Sequence, residues 1–78
     1  MLIKIFVDFN NADLKGRIRL NTEGTLEDLR NKKVVLTEGI ELLLDDDDGM
    51  ATTGVTQFSE EENIWVALIN WDELKIDS

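Results

Sequence analysis

The sequence predicts a small, mainly β domain of five to six short antiparallel strands, and three observations carry that expectation. Apolar and polar residues alternate with period two through Leu2–Phe9 and again through Arg17–Leu20, the pattern of half-buried strands. Gly54–Leu74 holds two β-rich runs around the polar loop Ser59-Glu60-Glu61-Glu62-Asn63, which is how a hairpin reads. The second of those runs, Ile64–Trp71, is apolar on both faces. Ile64, Val66 and Leu68 point one way, and Trp65, Ala67, Ile69 and Trp71 the other. A strand of that kind is covered on both sides, so it belongs at the centre of the fold.

The remaining elements follow in order. Leu2–Phe9 is the first strand, and Asn10–Gly16 is a turn region built from residues that tolerate turn geometry. Arg17–Leu20 is a short strand with Ile18 and Leu20 inward. Its two arginines read as an ion-paired or solvated face, with an anion site as the sharper alternative. Thr25-Leu26-Glu27-Asp28 resembles a capping box and predicts a short helix or helical turn over about 25–31, with Leu26 and Leu29 on one face. Arg30, Lys32 and Lys33 suit the negative end of that helix. Val34–Leu36 is apolar and β-branched, and its pairing stays open. Ile40–Leu44 is a strand ending in Asp45-Asp46-Asp47-Asp48-Gly49, and Met50–Phe58 is the next, with an irregularity expected at Gly54. Trp71–Leu74 reads as a terminal helical turn, followed by a polar tail in which Ile76 alone is left to bury.

Composition bounds the function. At 78 residues the chain is read as a single domain over 1–78, near the lower size for a self-sufficient core. It has neither cysteine nor histidine, so packing holds it together rather than disulfides or a zinc framework. Cysteine, histidine and tyrosine are all absent, no glycine-rich phosphate loop occurs, and no nucleophile is paired with a base. The expectation is therefore a protein that is not an enzyme and uses no cofactor. No run approaches a membrane span, and Met1–Phe9 lacks the pattern of a signal peptide, so a cytoplasmic protein is expected.

Charge is unevenly placed. Residues 1–33 carry seven basic and five acidic residues, a net of +2, whereas residues 34–78 carry one against twelve, a net of −11. An overall charge of −9 argues against binding nucleic acid, whose affinity is built from lysine and arginine. It leaves open a basic protein partner, a metal ion or mere solubility as readings of the charge. The acidic residues form two candidate patches, Asp45, Asp46, Asp47 and Asp48 in one loop and Glu60, Glu61 and Glu62 in another. If the loops share an end of the fold they make one electronegative pole. The aspartate loop also invites a calcium reading. With Gly49 in the glycine position, however, Leu44 and Val55 fall where the first and last carboxylate ligands belong. A weak divalent-cation or small-ligand site at 45–49 is the alternative function.

The tryptophans are the candidate contact residues. If Trp65 and Trp71 lie on one extended strand, they are about 20 Å apart, one in the core and the other beside an exposed groove. Ile64, Val66 and Leu68, on the opposite face, require cover from another part of the chain or from a second subunit. The short strands, the C-terminal hairpin and the helical turn at Trp71–Leu74 together resemble an SH3-like small β-barrel over roughly residues 15–78. That resemblance implies a closed antiparallel barrel and the general habit of a small interaction module. The expected function is non-catalytic protein–protein interaction, as a module or accessory subunit, with a homodimer as one candidate assembly.

Overall fold

The structure is a computed structural model and describes residues 2–76. Its axis is one long strand. Chain order gives β1 (Ile3–Phe6), β2 (Ile18–Arg19), α1 (Glu23–Asn31), β3 (Glu41–Asp45), β4 (Met50–Ser59), β5 (Ile64–Ile69), a 3-10 turn (Trp71–Glu73) and β6 (Lys75–Ile76). β4 pairs antiparallel with β3 along one edge, from Asp45↔Ala51 to Glu41↔Val55. Its other edge is shared: Gly54–Ser59 pairs with β5, and Met50–Ala51 with β6. The sheet order is β1-β3-β4-β5-β2, with β6 beside the start of β4.

The mainly β expectation holds, and two of its details are corrected. β1 runs parallel to β3, because the chain leaves β1 at one end of the sheet, forms β2 at the other, and returns through α1 before β3. The sheet is also open: along its path β1 and β2 are the two ends and do not pair with each other. It does not close into a barrel.

Period two decides which side chains reach the core. Ile5, Leu42, Leu44, Ile18, Leu20 and Ala67 lie on the inner face, joined by Val7 and Phe9 beyond β1 and by Leu29 from α1, and all are buried. Val34, Leu36 and Ile40 pack against this cluster from irregular chain, so Val34–Leu36 does not pair as a strand. Thr56, also buried, ties that segment down. Its hydroxyl donates to the carbonyl of Thr37 and accepts from the backbone N–H of Ile40.

The helix begins earlier than expected. Thr22, not Thr25, caps it, accepting from the Thr25 N–H at 3.2 Å. Thr25 is instead fully buried, and its hydroxyl donates to the carbonyl of Phe6. Gly24 permits the approach, since a Cβ there would lie 2.8 Å from the Phe6 ring. The buried helical face is thus Thr25 and Leu29, while Leu26 is exposed. The free edge of β1 is capped by α1. Besides Thr25, Asp28 accepts from the Phe6 N–H at 2.9 Å, and Lys32 Nζ donates to the carbonyl of Lys4. At the helix C-terminus, Val34 N–H bonds to Leu29 O and Lys33 N–H to Arg30 O, a Schellman closure. It forces Lys33 to φ 56°.

Gly54 shows no bulge; register runs unbroken through it on both sides. Glycine sits there for lack of room, because a Cβ would lie 2.8 Å from Leu44 Cδ1 and 3.0 Å from Ile69 Cγ2. The polar tail at 77–78 and the burial of Ile76 lie outside the described residues.

Two substitutions test this account by urea denaturation. Lys33→Gly relieves the left-handed strain and raises stability by about 1 kcal/mol. Gly54→Ala overpacks the core and lowers stability by about 1–3 kcal/mol. A neutral result at both positions would contradict the closure and the packing described above.

Candidate functional site

The outer face of the sheet carries the side chains that the core does not take. Across it, Glu41 lies opposite Val55, Val55 opposite Leu68, and Gln57 opposite Val66, which faces Arg19. The two halves of the outer face of β5 differ. Val66 is 0% exposed, whereas Leu68 is 52% and its cross-strand neighbour Val55 is 41% exposed.

The cover over Val66 is a polar strap. Arg17, just before β2, donates from Nε to Asp13 Oδ2 at 2.8 Å and from an amino nitrogen to Gln57 Oε1 at 2.7 Å. β2 and β4 flank β5, so the guanidinium spans β5 to reach Gln57. The Arg17 and Asp13 side chains are 9% and 5% exposed. Asp13 is held by more than its partner. Its Oδ1 accepts from the N–H groups of Lys15 and Arg17, closing a tight loop in which Gly16 takes φ 78°. Burial works against ionisation of Asp13. The Arg17 N–H, the Arg17 guanidinium and the Lys15 N–H outweigh it and hold the carboxyl below its ordinary value.

The ion-paired reading of Arg17 is therefore the one found. The Asp13–Arg17 pair was legible only as an i,i+4 spacing. Arg19 likewise engages Glu62 in a two-pronged bond at 2.8 and 2.9 Å, which lowers the Glu62 carboxyl's pKa.

The tryptophans part company. β5 ends at Ile69, so Trp71 lies in the 3-10 turn rather than on a shared strand face with Trp65. Asn70 caps that turn, accepting from the Asp72 N–H. Trp65 faces inward, edge-to-face with Phe58 at 5.2 Å between ring centroids, and packs on the core. Trp71 is 44% exposed and pinned by one bond, from Nε1 to the carbonyl of Gly16 at 2.9 Å. Ile64 is half-buried. Of the five candidate contact residues, only Leu68 and Trp71 are presented to solvent.

The acidic loops do not form one pole. They lie at opposite ends of β4, whose ten residues span about 30 Å at strand rise. In the first loop, Asp45 Oδ1 accepts from the Asp47 N–H, and Asp46 Oδ1 from those of Asp48 and Met50. Lys4 sits 3.5 Å from Asp47 and 4.0 Å from Asp45. These carboxylates are engaged in folding their own turn, and among the described residues no group of three acids is placed to hold a metal ion. In the second loop Glu61 pairs with Lys15 at 2.6 Å and Glu62 with Arg19, leaving Glu60 outward.

Two shallow depressions lie on the surface, the first of them lined in part by Leu68. One, of about 500 Å³, is lined by Arg17, Glu38, Gln57, Glu60, Glu61 and Leu68. The other, of about 570 Å³, is lined by Leu43, Thr53, Asp72, Glu73 and Leu74 beside the 3-10 turn. Among the described residues no helix is long and apolar enough to cross a membrane. No protein family, curated protein or solved structure matches the chain.

The strap has a pH signature. Asp13 and Glu62 have folded pKa values below the ordinary 3.8 and 4.5. The stability they contribute is therefore full above those values and is lost as pH falls through the folded ones. Asp13→Asn should lower stability at neutral pH by about 2 kcal/mol. It should also flatten the loss between about pH 5 and 2, read as urea midpoints across pH. A wild-type and a variant profile running parallel would show that Asp13 does not titrate as described.

Proposed function

We propose that the protein acts by binding another protein through the outer face of its sheet, as a non-catalytic interaction module or accessory subunit. One observation carries the reading: Leu68 and Val55 stand paired and exposed on a face whose other half is sealed by Arg17. An exposed apolar pair, with the exposed Trp71 indole three residues beyond Leu68 in the chain, is the composition of a contact centre. The fold itself does not need Leu68 apolar, since that side chain makes no part of the core. The SH3-like resemblance lends only the habit of small modules and contributes no residue.

A photoreactive residue placed at Leu68 should give discrete protein adducts in extract of the source cells. The same residue at Leu26, exposed on α1, should not. Equal labelling from both positions, or none from either, would end the proposal.

A further inference from the structure

We infer that the outer face takes a basic amphipathic helix of another protein; this rests on the interaction reading above and names the chemistry of its partner. The argument starts from charge. Glu41 stands opposite Val55, Glu38 and Glu60 line the depression beside Leu68, and Asp72 and Glu73 line the one beside the 3-10 turn. None of these five carboxylates pairs with any of the lysines or arginines of residues 4–33. The cations described on that side, Lys4, Lys15, Arg17 and Arg19, are already paired with Asp45 and Asp47, Glu61, Asp13 and Glu62. The apolar strip is therefore rimmed by an excess of negative charge. A partner seated on it gains from apolar residues at its centre and lysines or arginines at its rim.

The rim also argues against a second copy as occupant. A two-fold contact through this face sets the same patch against itself. It brings five carboxylates onto five, in a chain whose net charge is −9.

The edges of the sheet then decide the partner's form. An extended peptide adds to a sheet at a free strand edge. At one end of the sheet path, the outward carbonyls of Lys4 and Phe6 and the N–H of Phe6 are held by Lys32, Thr25 and Asp28. At the other, β2 is covered by residues 11–13, through an Ala12↔Ile18 bridge and a bond from Arg19 N–H to Asn11 O. Recognition falls to the side-chain face. A segment that docks there satisfies its own backbone and presents one apolar stripe, which is an amphipathic helix.

The test uses three synthetic peptides of about 18 residues, five helical turns, titrated into the isotope-labelled full chain and followed by amide and indole NMR shifts. One carries leucine at i, i+3, i+4 and i+7 spacing on a lysine background. A second keeps the leucines on glutamate, and a third keeps the lysines with serine for leucine. The Lys/Leu peptide should shift Val55, Leu68 and the Trp71 indole saturably, at least about tenfold more tightly than either control. It should weaken as salt rises. Leu68→Ser, at a solvent-facing position, should cost the Lys/Leu peptide about tenfold and leave the Lys/Ser peptide unchanged.

If the Glu/Leu peptide binds the strip as well as the Lys/Leu one, the basic partner is overturned and the contact face stands. Shifts confined to residues 46–48 or 60–62 overturn the inference, as does the absence of binding by all three. Shifts at Leu68 that grow with protein concentration alone would assign the face to a second copy. The photochemical labelling at Leu68 decides the interaction reading independently.

Discussion

Arg17 lies across β5 with one end on Asp13 and the other on Gln57, and three parts of the molecule depend on that span. The first is Val66, which is buried on a face that, among the described residues, no helix covers. A guanidinium stem and its planar head cover apolar surface while the charge stays satisfied. The second is β2, a strand of two residues that is too short to hold its place by ladder bonds alone. Its neighbours are fixed by the Asp13 carboxylate, which gathers the Lys15 and Arg17 N–H groups. The third is the C-terminal turn, since the Gly16 carbonyl that receives Trp71 belongs to the same loop. Removing one partner would leave the other charge buried and uncompensated, the costly way to break such a pair.

The rest of the electrostatics is distributed differently. The basic N-terminal part and the acidic C-terminal part meet within one chain, through Lys4 with Asp45 and Asp47, Lys15 with Glu61, and Arg19 with Glu62. Segregated charge along the sequence therefore needs no second subunit to balance it. These outer pairs are solvent-exposed or partly so and contribute little stability each. Their effect is to consume most of the cations of residues 4–33, so those basic residues do not neutralise the surplus acids on the outer face.

What the sequence made legible was local. Period two identifies the inner residues of β1 and β2 and separates the two faces of β5, and the polar loop at 59–63 identifies the β4–β5 hairpin. The cap is not legible locally, because Thr22 and Thr25 both suit an N-cap and the choice depends on Phe6, whose carbonyl takes the Thr25 hydroxyl. Trp71 was placed on the strand because alternation continues through it. The break comes from the Asn70 cap and from a bond to Gly16, more than fifty residues distant in sequence. Parallel pairing of β1 with β3 leaves no period of its own in so short a strand. Of the site, Leu68 and Trp71 were legible as apolar residues in need of cover. That Val66 already had cover was not, because Arg17 and Gln57 lie forty residues apart.

The division of β5 into a sealed and an open half bears on why the open half is apolar at all. Val55 and Leu68 lie outside the core cluster, and threonine at either position would keep β propensity without exposing a hydrocarbon surface. Stability therefore gives them little purpose. The same chain blocks its strand edges with side chains from α1 and a folded-back loop, the device by which sheets avoid indiscriminate pairing. Covering both ends of the sheet path while leaving one apolar pair uncovered favours association through side chains. On the proposed reading the surrounding carboxylates narrow it again, repelling a second copy of this acidic chain while attracting a cationic one. Specificity then comes as much from what the rim excludes as from what Leu68 holds.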